Sequence, residues 1–169
     1  MAYAPSPDEI KALRDETQAG IMDCKRALEE AEGDAQKAKK ILYDKGMMQM
    51  EKRTDRVSSQ GLIESYIHQG RVGALVEVNC ETDFVARNDA FRELARNVAM
   101  QVAAMNPKYL SKEDVPADEI APPEDVALLE MSFIREPSKS IQDLINDVRV
   151  TTKENVRVRR FARFELGKE

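Results

Sequence analysis

Apolar and polar positions along this chain change period between its first third and its middle. From Ser6 to Gly46 they recur at helical spacing. Ser6-Pro7-Asp8-Glu9 predicts a helix start: the Ser6 oxygen accepts an orphan amide, Glu9 reaches back, and Pro7 has no amide to lose. Ile10 and Leu13 share one side of that short helix, and Gly20 breaks it. Cys24, Ala27, Leu28 and Ala31 then fall at i, i+3, i+4 and i+7, a helix stripe. Gly33 stops this helix and Asp34 caps a third, in which Ala35, Ala38, Ile41 and Leu42 repeat the spacing up to Gly46. Three short helices with small residues on their facing sides predict a compact module over 1–46, near the lower size limit for independent folding. From 47 to 59 the pattern dissolves into Met, Lys, Arg, Asp and Ser, a polar and partly helical linker.

Beyond the linker the period drops to two. Ile63, Ser65 and Ile67 face one way, and Leu62, Glu64, Tyr66 and His68 the other. Gln69-Gly70 signals a turn, and Val72, Ala74, Val76, Val78 and Cys80 form the cleanest alternation in the chain, so the two runs predict a β-hairpin. Asn88 or Asp89 caps a helix whose stripe is Phe91, Leu94, Ala95, Val98, Ala99 and Val102, which must cover a sheet face. A proline-rich loop follows from 106 to 123, then a predicted helix over 124–134 and another begun by Ser140-x-x-Asp143. A strand over 155–166 closes the chain. In it Val156, Val158, Ala162, Phe164 and Leu166 alternate with Arg157, Arg159, Phe161, Arg163 and Glu165, and Arg160 interrupts the apolar set, so part of that face is wet or meets an acid. The expected fold is α+β: a helical module, then a core over 60–169 in which an antiparallel sheet, hairpin plus C-terminal strand, carries helices on one face.

Composition narrows the function. Of the 169 residues 34% are charged and 42% hydrophobic, as in globular proteins. The net charge of -5 opposes non-specific nucleic-acid binding. No apolar run approaches the ~20 residues that span a bilayer, and the start, Met1-Ala2-Tyr3-Ala4-Pro5, lacks the basic flank and apolar stretch of a signal peptide. Two cysteines, Cys24 and Cys80, match neither a disulfide framework nor a metal knuckle. The expectation is a reduced, cytoplasmic protein with no membrane partner.

Catalytic chemistry is poorly supplied. The single histidine, His68, cannot build a clustered zinc site, and no G-x-x-x-x-G-K-[ST] loop is present for a nucleotide. Cys24 and His68 pair as nucleophile and base only in principle, because Cys24 lies on an apolar stripe. No cofactor, metal or directly bound nucleotide is expected. Two exposed features stand out instead. One is the junction Glu81-Thr82-Asp83-Phe84-Val85-Ala86-Arg87-Asn88, where an acid and a large ring sit between two rigid elements. Its plain alternative is a strand-to-helix turn with Phe84 folded inward. The other is a surface of Arg14, Thr17, Ile21, Met22 and Lys25, a flexible Met among cations that suits docking, against the alternative that Ile21 and Met22 pack inward.

Two segments resemble the signatures of bacterial elongation factor Ts. Leu13-Arg14-Asp15-Glu16-Thr17-Gln18-Ala19-Gly20-Ile21-Met22-Asp23-Cys24-Lys25-Arg26-Ala27-Leu28, with Glu32-Gly33-Asp34 after it, resembles the N-terminal one. Val76-Glu77-Val78-Asn79-Cys80-Glu81-Thr82-Asp83-Phe84-Val85-Ala86 resembles the second, and Arg160-Phe161-Ala162-Arg163-Phe164-Glu165-Leu166-Gly167 resembles the family's closing strand. Gln18 stands where the family usually has glycine, and Ile21 where it often has methionine. The chain has room for one copy of a core that many members duplicate.

That resemblance implies a non-enzymatic guanine-nucleotide exchange factor for elongation factor Tu. It implies a ubiquitin-associated-like N-terminal module that docks on the GTPase through Arg14, Ile21, Met22 and Lys25. It makes Thr82, Asp83, Phe84 and Val85 a wedge that disturbs the partner's Mg²⁺ site and so releases GDP. The single core copy implies a homodimer. Three other readings remain beside it: an adaptor with the same docking module, an enzyme using Cys24 or the carboxylates, and an RNA-binding factor using Arg157, Arg159 and Arg163.

Overall fold

The structure, a computed structural model, describes residues 3–168. The chain forms two compact units. One runs up to Asp55 and includes Arg149–Lys153; the other comprises Arg56–Val148 and the chain from Glu154 on.

The first unit is built from three helices. Helix α1 (Pro7–Thr17) starts with the expected capping box: Glu9 N donates to Ser6 Oγ at 3.3 Å, and Ser6 N donates to the Glu9 carboxylate at 2.7 Å. It ends on Gln18 in the left-handed region (φ 55), a backbone that glycine adopts most easily. Helix α2 (Ile21–Glu30) begins at Gly20, and α3 (Ala35–Glu51) is capped by Asp34, which accepts from Gln36 N and Lys37 N. Leu13, Cys24, Ala27, Leu28, Ala31, Ala38 and Leu42 form a small buried core. The expected stop at Gly46 is corrected: α3 runs on to Glu51. A Cβ at Gly46 would lie 2.8 Å from a Val150 methyl carbon, so this glycine serves a close approach rather than a helix end.

The second unit holds a three-stranded antiparallel sheet in which the strand 72–80 lies between the strands 60–68 and 157–165. Strand β1 (Gln60–His68) and strand β2 (Val72–Cys80) pair as the expected hairpin, with Leu62 opposite Val78 and Ser65 opposite Leu75. A one-turn helix α4 (Asp83–Ala86) follows, then α5 (Asp89–Met105), capped by Asn88, whose side chain accepts from Ala90 N at 2.8 Å. Its stripe of Phe91, Leu94, Ala95, Val98, Ala99 and Val102 packs on Ala74, Val76, Val78 and Cys80.

The predicted helix over 124–134 is corrected. Only α6 (Pro123–Val126) is helical there, and a small hairpin follows, β3 (Ser132–Phe133) with β4 (Glu136–Ser140). Backbone pairing explains the difference: Lys108 N and Tyr109 N donate to Val126 O, Leu128 N to Tyr109 O and Leu129 N to Leu110 O. These bonds hold the segment extended against the preceding loop, and a helix would forfeit them. Helix α7 (Ile141–Thr152) starts at Ser140, whose hydroxyl and amide both reach the Asp143 carboxylate at 2.8 Å.

The closing strand β5 (Arg157–Glu165) carries a third correction. Val78 pairs with Val158 but Glu77 with Arg160, so Arg159 is an extra residue, a β-bulge. One extra residue reverses the alternation beyond it. Val156 and Val158 are buried as expected, yet Ala162, Phe164 and Leu166 are exposed, while Phe161 packs on the core. Arg163 also turns to the helical side, where its Nε donates to Ala103 O at 3.1 Å. The opposite sheet face is left bare and apolar, with Ile63, Ile67, Leu75 and Phe164 exposed. Arg160 on that face meets an acid, one of the two outcomes expected from its place in the pattern: its Nε lies 2.7 Å from Glu77.

Gly61 fixes the hairpin's open end. Its φ is 145°, and a Cβ there would fall 2.1 Å from the Val78 carbonyl oxygen. Gly61→Ala is therefore expected to cost about 2–3 kcal/mol from backbone strain and displacement. A thermal melt should fall by roughly 4–12 °C, and an unchanged melt would contradict the close approach.

Candidate functional site

The junction after β2 is a rigid pedestal under an exposed ring. Thr82 is the N-cap of α4, and its hydroxyl oxygen accepts from Val85 N at 3.3 Å. Val85 is 6% exposed and belongs to the core, so it anchors the turn from below. Phe84, one residue earlier, is 81% exposed. Successive helical residues point about 100° apart, so burying Val85 against the sheet turns Phe84 outward. The inward-folded alternative for Phe84 is thereby corrected. Asp83 is exposed beside it and holds Arg87 at 3.0 Å, an i,i+4 pair of small energetic weight.

Carboxylates fasten this pedestal from below. Glu154 accepts from Glu81 N, Thr82 N and the Thr82 hydroxyl, at 3.0, 3.1 and 2.5 Å. Glu81 answers by accepting from Asn155 N at 2.7 Å, and its other oxygen lies 3.3 Å from Arg56. Asn155 is buried; its side-chain Nδ2 donates to Arg56 O at 3.0 Å, and its backbone carbonyl accepts from the Ser58 hydroxyl at 2.7 Å. Sequence reasoning missed Glu154, Asn155 and Ser58. Their partners lie far away along the chain, and no local period marks them. The one available signal was compositional: polar residues clustered at the ends of three elements.

Beneath the same turn Cys80 donates its thiol to Thr82 O at 3.1 Å. Burial, reinforced by the Glu154 charge, pushes its pKa up to about 11, which leaves the thiol protonated and unreactive at neutral pH. Cys24 is fully buried in the helical unit, and His68 stacks on Tyr66 in the sheet unit. Among the described residues no group of three or more His, Cys, Asp or Glu is placed to hold a metal ion, and no helix is long and apolar enough to cross a membrane. Of the C-terminal arginines, Arg159 shares Glu77 with Arg160, and Arg163 shares Glu165 with Lys168, so their charge is answered in part.

The second surface lies in the helical unit. Ile21 and Met22 open α2 and are 56% and 57% exposed, so neither belongs to the buried core. Lys25 follows within one turn on the same side, where it approaches Glu29 at 3.7 Å. Arg14 is exposed in the last turn of α1. The inward-packing alternative for Ile21 and Met22 is thereby corrected.

Comparison with known proteins gives a consistent result. The family model described as Elongation factor TS matches residues 24–127, more than half of the chain. The elongation factor Ts of Thermotoga maritima is 46% identical, with 96% of each chain covered. That of Caldanaerobacter subterraneus is 42% identical, again with 96% of each covered. That of Finegoldia magna is 40% identical over 94% of this chain and 88% of its own. The chain belongs to the elongation factor Ts family, a family of translation elongation factors.

Proposed function

We propose that this protein promotes guanine-nucleotide exchange on elongation factor Tu in the cytoplasm, acting as a binding partner rather than as an enzyme. The observation that carries the reading is Phe84, a large apolar ring held in solvent on a fastened turn within the family's second signature. A solvated ring costs free energy unless a partner covers it. The turn supplies two unlike groups at one point: Phe84 offers bulk to hold partner helices apart, and Asp83 offers a charge to rearrange hydrogen bonds. Mg²⁺ at a nucleotide's phosphates demands a strict octahedral geometry, so a small displacement of its neighbours costs much nucleotide affinity. The coupling is reciprocal, and GDP weakens this protein's binding as much as this protein weakens that of GDP.

Magnitudes require more than the wedge. Accelerating release about a thousandfold lowers the barrier by ~4 kcal/mol. One buried Phe contributes ~1.5–3 kcal/mol, so a second contact must supply binding energy. Ile21, Met22, Lys25 and Arg14 form that docking surface. Replacing Ile21 and Met22 together by Ser should weaken the complex by about 2 kcal/mol, roughly thirtyfold in Kd by calorimetry. Stability should stay within ~0.5 kcal/mol because both side chains are exposed. Unchanged affinity would remove the surface from the interface.

The bare sheet face fits a second copy of this chain, which makes the functional form a homodimer. Two such faces stack about 10 Å apart and cover each other's apolar side chains. The deciding experiment for the function is stopped-flow release of a fluorescent GDP analogue from elongation factor Tu. Strong acceleration by the folded protein is expected. Release at the intrinsic rate, with an active partner, would sink the exchange reading.

A further inference from the structure

We infer that Glu154 is the positioning residue of the exchange element, an inference that rests on the wedge reading of Thr82–Phe84. Glu154 touches no partner in this role; it acts through Thr82. Its Oε2 accepts from two consecutive backbone amides, Glu81 N at 3.0 Å and Thr82 N at 3.1 Å. Its Oε1 accepts the Thr82 hydroxyl proton at 2.5 Å. A hydroxyl has one proton and two lone pairs. With the proton committed to Glu154, the lone pairs of Thr82 are fixed in direction, and one of them receives Val85 N. The carboxylate thus sets the rotor that caps α4, and α4 carries Phe84.

Bonds from amides and a hydroxyl to an ionised carboxylate are about twice as strong as neutral ones. They bind a turn whose Thr82, Asp83 and Phe84 are all exposed, while Val85 is buried in the core and Ala86 packs against it. The grip is mutual. While Glu154 holds the backbone at 81–82, Glu81 holds the backbone at Asn155. The backbone just before Glu154 is unusual as well: Lys153 sits in the left-handed region at φ 59, a conformation that a non-glycine residue adopts only where its surroundings impose it.

A wedge works by being in place before the partner arrives, since reacting geometry that must be ordered late lowers the rate and leaves ground-state docking intact. Glu154→Ala is therefore expected to lower the saturating rate of GDP release about tenfold, with the half-saturating concentration changed less than about twofold. Glu154→Gln keeps a carbonyl for the two amides and an NH₂ group for the Thr82 oxygen, and should restore the rate to within about threefold of wild type. On a Phe84→Ala background, Glu154→Ala should cost less than about twofold, because both changes act through one element. In the free protein the amides of Glu81 and Thr82 should exchange hydrogen at least tenfold faster in Glu154→Ala, with Val76 and Val78 unchanged.

A wild-type saturating rate in Glu154→Ala would overturn the inference, as would an equal loss with and without Phe84. If wild-type protein itself fails to accelerate release, the exchange reading falls. Faster exchange at Glu81 and Thr82 would then still support the positioning of the turn by Glu154, and unchanged amides would overturn it.

Discussion

Phe84→Ala is expected to reduce the acceleration of GDP release about thirtyfold while leaving the free protein as stable as before. The two halves of this expectation have separate causes. The ring is 81% exposed and contributes little to the fold, so its removal should shift stability by less than ~0.5 kcal/mol. In the proposed complex the ring would pass from water into the partner, and its full burial is worth ~1.5–3 kcal/mol. If that energy is realised only when partner helices are displaced, it appears in the release rate, where 2 kcal/mol is about thirtyfold. If it is realised in ground-state docking, the half-saturating concentration rises and the saturating rate stays. Stopped-flow titration separates the two. Acceleration within about twofold of wild type would remove Phe84 from the mechanism. Asp83→Asn beside it isolates the charge, since Asp83 has only the exposed pair with Arg87 to lose.

Converting Leu75 and Phe164 to Glu is expected to turn the proposed dimer into a monomer. On the bare sheet face Ser65, Leu75 and Ala162 form one row, and Ile67, Gly73 and Phe164 the next. Leu75 is therefore central to the patch, and Phe164, 72% exposed, is its largest side chain. Each protomer would bring two carboxylates into the interface, where Arg160 of the neighbouring row is already held by Glu77, and burying an unpaired charge costs several kcal/mol. A loss of at least ~3 kcal/mol raises the dimer Kd more than a hundredfold. Sedimentation equilibrium at micromolar protein reads this directly. Circular dichroism should show the protomer fold intact, because neither side chain is buried within it. A wild-type protein that sediments as a monomer would sink the dimer, and a dimer that survives both substitutions would move it to another face.

Most of the architecture was legible because most of it is periodic. The Ser6, Asp34, Asn88 and Ser140 caps, the small-residue stripe of α2 and the alternation of β2 each state their element within a few residues. What escaped was set by partners distant in sequence. Glycine signals a stop only when nothing approaches it, and Val150 is what approaches Gly46. The run from Ala127 to Met131 carries apolar residues at spacings that suit a helix, yet the amides of Leu128 and Leu129 are taken by the carbonyls of Tyr109 and Leu110 in the preceding loop. The site divides in the same way. Asp83 and Phe84 stood out because an acid and a ring at an exposed junction are conspicuous in the sequence itself. Glu154 was invisible, because a carboxylate between a helix and a strand looks like any solvated residue until its hydrogen bonds are seen.

The extra residue at Arg159 makes the identity of the sheet's two faces a matter of parity. Up to Val158 the strand counts in one phase, and from Arg160 in the other. Pairing that ran straight through Arg159 would leave composition, charge pattern and strand length untouched, yet it would exchange inside for outside over the rest of β5, sending Phe164 toward α5 and Phe161 into water. Losing Arg159 itself would do the opposite: Arg160 would follow Val158 directly in the ladder, and both faces would stay as they are. The apolar face is thus encoded by one unpaired residue as much as by its hydrophobic ones.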